Sequence, residues 1–168
     1  MIKRKEKKHI MLRVILIIVS LFVLFILYSI FIGTKGLFVK EYMVSSNIPD
    51  SFDGLKIVHI SDIHYNRTFK EKDLRKLVDR VNLINPDIVI FTGDLIDQDS
   101  EINEDDITYL KKVLSKINAK YGKYSVIGNH DYSIDIEILR SIYKESNFNL
   151  LENSYDIIYG KDNNKLYI

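Results

Sequence analysis

Three short clusters hold the side chains of this chain that could do chemistry together: Ser61-Asp62-Ile63-His64, then Thr92-Gly93-Asp94 with Asp97 three residues on, then Gly128-Asn129-His130-Asp131. They offer carboxylate, imidazole and amide donors, and the chain has no cysteine. Disulfides and thiolate ligation are thereby excluded, so a metal would be held by His, Asp, Asn or water. Taken singly, each cluster has an ordinary explanation: Asp62 capping a turn, Gly93-Asp94 forming a loop, Asn129 in a left-handed turn position. Gly-Asn-His-Asp is harder to read as a mere turn. A glycine followed at once by an amide and an imidazole makes sense where the backbone must approach something closely.

The elements that must position these clusters repeat three times. Leu55–Ile60 is a short run rich in β-branched residues, closed by Ser61-Asp62, and predicts a buried strand. Leu74, Leu77, Val78, Val81 and Ile84 fall at helical spacing and predict a helix over Lys70–Ile84, ended by Pro86. Asp87–Thr92 predicts a second strand, closed by Gly93-Asp94, with a second helix over Asp105–Ile117. Tyr124–Ile127 predicts a third strand running into Gly128-Asn129-His130-Asp131, and Asp135–Glu145 a third helix. Further strands are expected at Asn149–Leu151, Asp156–Tyr159 and Lys165–Ile168. Alternation of this kind predicts an α/β layer built on a mainly parallel sheet. In open α/β sheets ligands gather beyond the carboxyl ends of the strands, so the three clusters should meet in one crevice. His59 should point to the sheet face opposite Asp62 and be structural, because side chains alternate along a strand. The remaining histidine, His9, lies in the N-terminal flank.

Asp62-Ile63-His64, Gly93-Asp94 and Gly128-Asn129-His130-Asp131 resemble the Asp-x-His, Gly-Asp and Gly-Asn-His-Asp/Glu motifs of calcineurin-like metallophosphoesterases, over a stretch from about Gly54 to the end of the chain. The resemblance implies a β-sandwich flanked by helices and a phosphoester hydrolase acting on a phosphodiester, phosphomonoester or pyrophosphate bond. It implies two divalent metal ions, with Asp62 and His64 on one, Asp94 bridging both and Asn129 on the second, and His130 assisting the reaction. General chemistry agrees. A bridging carboxylate can hold two ions about 3.5–4 Å apart, where they activate a water and clamp the attacking and leaving oxygens of a phosphoryl group. Mixed nitrogen and oxygen donors without sulfur suit Mn²⁺, Fe or Zn²⁺ better than Mg²⁺ or Ca²⁺. An imidazole such as His130 can protonate a departing oxygen near neutral pH. Asp97 is expected to orient it.

The first forty residues differ from the rest. They carry eight Lys or Arg against the single acid Glu6, a net +7, which leaves −6 for the remainder of a chain whose total is +1. An acidic body argues against nucleic acid as a partner and calls for cations. From Val14 to Thr34 there is no charged residue and no polar stripe, long enough as a helix to cross the roughly 30 Å hydrocarbon layer. A cleaved signal peptide is the rival reading, but no Ala-x-Ala site follows. The expected organisation is a basic cytoplasmic head (1–13), a transmembrane anchor (14–34), a linker (35–53) and the phosphoesterase domain (54–168). The basic residues from Lys3 to Arg13 should hold the head in the cytoplasm and place the domain outside, with Tyr28, Phe31 and Phe38 near the outer boundary. A site held at the membrane surface fits lipid-linked phosphates.

The family completes its metal site with later histidines, one alone and a His-x-His pair, and no histidine follows His130 here. The ending Lys165-Leu166-Tyr167-Ile168 falls mid-strand by pattern. The expectation is an incomplete domain, with a non-catalytic, membrane-tethered binding fragment as the alternative to an enzyme.

Overall fold

The first four short strands of the body run the same way because a helix connects each to the next. The computed structural model describes residues 2–30 and 37–168, including their side chains except at 2–6 and 8. It divides into two units, Met1–Val44 and Ser45–Ile168. In the second, β1 (Ile57–Ile60), β2 (Ile88–Phe91), β3 (Gly122–Ser125) and β4 (Asn149–Leu150) form a parallel sheet in that order, with Ile57 opposite Ile88 and Ile88 opposite Gly122. Parallel crossovers are right-handed, so a sheet laid down in chain order carries all its connecting helices on one face. That face is where α2 (Glu71–Ile84), α3 (Glu104–Leu114) and α4 (Ile136–Glu145) pack. Leu74 and Val78 of α2, Leu110 and Val113 of α3, and Leu139, Ile142 and Tyr143 of α4 share one buried core with Ile60, Val89 and Phe91 of the sheet.

Residues that alternate to the other face, Ile88, Ile90 and Tyr124, meet a different element. A two-stranded antiparallel ribbon, β5 (Ile157–Tyr159) with β6 (Lys165–Tyr167), packs there through Ile158 and Leu166, together with Phe52. The expected α/β architecture is therefore present as a parallel sheet with helices on one face and the ribbon on the other. The third strand begins and ends two residues earlier than its apolar pattern predicts. Gly122 and Lys123 join it because Gly122 pairs with Ile88 and Lys123 with Val89. His59 hydrogen-bonds Thr92 Oγ1 through Nε2 at 2.8 Å.

Helix ends follow their local chemistry. Asn103 caps α3 by accepting from the Asp106 amide at 2.9 Å, and Asp106 answers by accepting from the Asn103 amide at 3.2 Å. Asp135 caps α4 through the Glu137 amide. At its C-terminus α2 stops at Asn85, in the left-handed region at φ 53°, just before Pro86. In the first unit α1 runs unbroken from Ile2 to Tyr28. The basic head is thus part of one helix with the apolar segment, since nothing between Arg13 and Val14 breaks the backbone ladder. The stretch His9–Tyr28 is long and apolar enough to cross a membrane. The expected end of the anchor at Thr34, and Phe31 with it, lie outside the described residues.

Lys123 is a charged side chain in the middle of a strand, and the core accommodates it by using the ends of two helices. Its Nζ donates to the Leu114 carbonyl at 3.2 Å and the Ser146 carbonyl at 2.6 Å, and lies 4.8 Å from the centre of the Phe148 ring. Burial pushes this amine down to about 8. The unfolded chain, with an ordinary lysine, then binds more protons than the folded one between about pH 8 and pH 10.5, so stability rises with pH across that window. Urea unfolding should show the native chain gaining on the order of 2 kcal/mol relative to Lys123→Met between pH 7.5 and pH 9.5.

Candidate metal centre

The loops leaving β1, β2 and β3 are laced together before any side chain is considered. The Thr92 amide donates to the Ile60 carbonyl, the Asp62 amide to the Gly93 carbonyl at 3.2 Å, the His64 amide to the Asp94 carbonyl at 3.0 Å, and the Tyr65 amide to the Leu95 carbonyl at 2.8 Å. The parallel ladder therefore continues past the strands as a loop-to-loop seam. Asp62 (φ 54°), His64 (φ 44°) and Asp94 (φ 55°) all adopt left-handed backbone along it. Non-glycine residues avoid that region at a cost of roughly 1–2 kcal/mol each. Three such residues in one seam mark strain held in place by the surrounding structure, the pattern found at functional sites.

Gly93 and Gly128 let the second and third loops touch. Gly93 has φ +93°, and a methyl group on it would run into the Gly128 backbone; a methyl on Gly128 would be forced into the Asp94 carboxylate and amide. The sheet order shows no reversal, so there is no topological switch point to open a crevice. Convergence comes from this close approach instead.

It brings together most of the residues singled out from the sequence. Ligand atoms of Asp62, His64 and Asp94 all lie within 4.8 Å of one another, as do those of His64, Asp97 and His130. His64 belongs to both groups: its Nε2 lies 3.6 Å from Asp62 Oδ1 and its Nδ1 3.0 Å from Asp97 Oδ2. The His64 and His130 rings meet edge to face at 4.9 Å. Asn129 is exposed at the start of the short 3₁₀ turn His130–Ser133, and its side chain does not cap that turn.

Several features fit a cation. Two carboxylates, Asp62 and Asp94, flank one imidazole, and among the described residues His64 is the ionic neighbour of Asp62. The Nδ1 atoms of His64 and His130 are buried without a hydrogen bond; the 3.0 Å approach of Asp97 to His64 falls outside hydrogen-bond angles. Buried polar atoms are ordinarily satisfied, so such orphans set this cluster apart from a purely structural one. The donor set is nitrogen and oxygen, as hard and borderline divalent ions prefer.

The orienting groups are Asp131 and Asp97. Asp131 is fully buried, and its carboxylate accepts from the amides of Asp94 (2.9 Å), Ile96 (3.1 Å) and Gly128 (2.9 Å). Burial holds this carboxyl above the usual carboxylate range, and the amide donors offset only part of that rise. In return Asp94 Oδ1 accepts from the His130 amide at 2.9 Å. Asp131 was visible as the last residue of its cluster, but its part as the pin between two loops was not read. Asp97 is also buried, and its close imidazole neighbour is His64, whereas His130 was the expected partner. The Asp99 amide and then Arg67 hold the Asp97 carboxyl below the usual range. Arg67, also missed, stands in the loop after His64, where a lone exposed arginine carries no sequence signal.

The comparisons agree with the motifs. A profile of the calcineurin-like phosphoesterase family matches residues 55–167. The chain is similar to the uncharacterized metallophosphoesterase YkuE of Bacillus subtilis (35% identical over 128 residues, 74% of this chain and 43% of the relative). It is similar to the uncharacterized metallophosphoesterase Cj0846 of Campylobacter jejuni (37% identical over 156 residues, 90% of this chain and 40% of the relative). A third similar protein is the UDP-2,3-diacylglucosamine pyrophosphatase LpxG of Chlamydia muridarum (38% identical over 80 residues, 48% of this chain and 23% of the relative). The alignments with the first two thus span about two fifths of those relatives' length.

Replacing Asp131 by Ala would leave three loop amides without an acceptor. At about 1–3 kcal/mol for each buried unsatisfied group, partly recovered by relaxation, urea unfolding should show a loss of roughly 3 kcal/mol or more.

Proposed function

The chain belongs to the calcineurin-like phosphoesterase family, and from that premise we propose that it contributes a metal-dependent site for hydrolysis of a phosphoester or phosphoanhydride bond at a membrane surface. The observation that carries the reading is the meeting of Asp62, His64, Asp94 and His130 at three adjacent strand ends, with ligand atoms of Asp62, His64 and Asp94 within 4.8 Å of one another.

On this reading Asp62 and His64 hold one divalent ion, Asp94 is shared with a second, and Asn129 adds a neutral oxygen to the second. Mn²⁺, Fe or Zn²⁺ bound there would supply Lewis-acid polarisation of the phosphoryl oxygen and a water nucleophile available at neutral pH. The chain's own residues do the rest. Asp94 is held by the His130 amide, so its carboxylate faces the cluster without having to reorganise. His130 gives a proton to the departing oxygen from its imidazole, and Asp97 lies close enough to steady the charged ring. Asp131 keeps the second and third loops in register, which sets the spacing between Asp94 and His130.

The substrate proposed is a lipid-linked phosphate, with a pyrophosphate bond as first choice. Two arguments support it: an anchor at His9–Tyr28 would tether the body to a membrane, and the chlamydial relative is named for a diacylated sugar-nucleotide pyrophosphate. The basic residues between Lys3 and Arg13 favour a cytoplasmic N-terminus, which leaves the body outside.

Bis(p-nitrophenyl) phosphate hydrolysis by the full chain in detergent should require added Mn²⁺, stop with a chelator and disappear in Asp94→Asn. In His130→Ala the kcat should fall roughly 10²–10⁴-fold with metal binding retained. Metal binding without turnover in the native chain would instead support a tethered binding domain.

Because the chain lacks cysteine, single cysteines report orientation cleanly. Ser154→Cys, on the exposed surface of the body, should react with a membrane-impermeant maleimide in intact cells. Lys7→Cys should react only after permeabilisation.

A further inference from the structure

His64 stands between two groups of acidic and imidazole ligands, and something must decide which of them takes a cation. Asp97 is the carboxylate that separates them. It is 3% exposed at its side chain and accepts from the Asp99 amide at 3.0 Å, while Arg67 Nη1 reaches both of its oxygens, at 2.9 and 3.1 Å. The same Nη1 lies 3.3 Å from Asp99, so the guanidinium is held from two sides. On its far side Asp97 faces His64 Nδ1 at 3.0 Å, and the opposite nitrogen of that ring, Nε2, faces Asp62. A positive charge this close to Asp97 disfavours a second cation on the same carboxylate, whereas Asp62 and Asp94 have no such arginine among the described residues.

We propose that Arg67 is a positioning residue for the metal site: acting through Asp97, it keeps the His64, Asp97 and His130 group from taking a cation and holds a carboxylate beside His64 Nδ1, so that Nε2 faces Asp62 and the ion. The inference rests on the reading of Asp62, His64 and Asp94 as metal ligands. Ligating histidines characteristically give their second ring N–H to a carboxylate, which fixes tautomer and ring direction, and loss of that support typically weakens metal binding 10–100-fold. Here the carboxylate is itself fixed by Arg67. Only one guanidinium nitrogen makes the contact, so a lysine amine, also a single charged donor, can replace it, while a neutral side chain cannot.

The test is Mn²⁺ binding to the full chain in detergent by titration calorimetry, with urea unfolding of the metal-free protein as a second readout, for the native chain, Arg67→Gln and Arg67→Lys. Arg67→Gln should weaken Mn²⁺ binding about tenfold or more. Metal-free stability should stay close to native, and Arg67→Lys should restore most of the affinity. Hydrolysis by Arg67→Gln should recover when Mn²⁺ is raised, with KM for the substrate unchanged at saturating metal. Native affinity in Arg67→Gln would overturn the proposal, as would a raised substrate KM with unchanged metal affinity, which would make Arg67 a substrate contact. No Mn²⁺ binding by the native chain would remove the metal-site reading itself, and this inference with it.

Discussion

One buried carboxylate ties the architecture together. Asp131 receives three backbone amides from two loops that are more than thirty residues apart in the chain. Neither the approach of Gly93 to Gly128 nor the left-handed backbone of Asp94 is favourable alone. Both are held because a charged acceptor in a dry environment gives those amides nowhere better to go. Asp94, the proposed shared carboxylate, owes its direction to this pin and to the His130 amide. An apolar residue at 131 could fill the space but could not organise the loops.

The body shows a division of labour between its two faces and its strand ends. Helices cover one face through aliphatic contacts at ordinary spacing, and the ribbon covers part of the other. Those layers could accept many sequences of similar volume. At the carboxyl ends almost nothing is interchangeable: two glycines are needed for clearance, three residues sit at positive φ, and two aspartates are buried against amides or arginine. The candidate site lies where the backbone itself is least free.

The strands, the helices and the three clusters were legible because each strand is a short apolar run that ends in Gly, Asp or Asn, and each helix keeps its apolar stripe. The third strand was misplaced by two residues because Lys123 breaks its apolar pattern. Its welcome in the core depends on helix-end carbonyls that are distant in sequence. Asp97 was legible as a candidate acid of the cluster, but its nearer neighbour was not, since motif spacing does not reveal which imidazole a buried carboxylate meets. Arg67 and Asp131 escaped for the same reason. Their importance lies in partners thirty or more residues away, and an exposed loop arginine or a fourth motif residue looks ordinary in one dimension.

The matching of strand order to chain order bears on how the body assembles. Each new strand docks beside the one made just before it, so every βαβ step closes a loop of only some thirty residues and leaves no gap to be filled by a later segment. As the chain emerges from its N-terminus, β1 to β3 can add one after another onto a growing edge. Asp131, beyond β3, is the last of the site's pins to arrive. A chain interrupted before residue 131 would own the proposed ligands Asp62, His64 and Asp94 yet lack what orders them, so the site takes shape only once the loop after the third strand has been made.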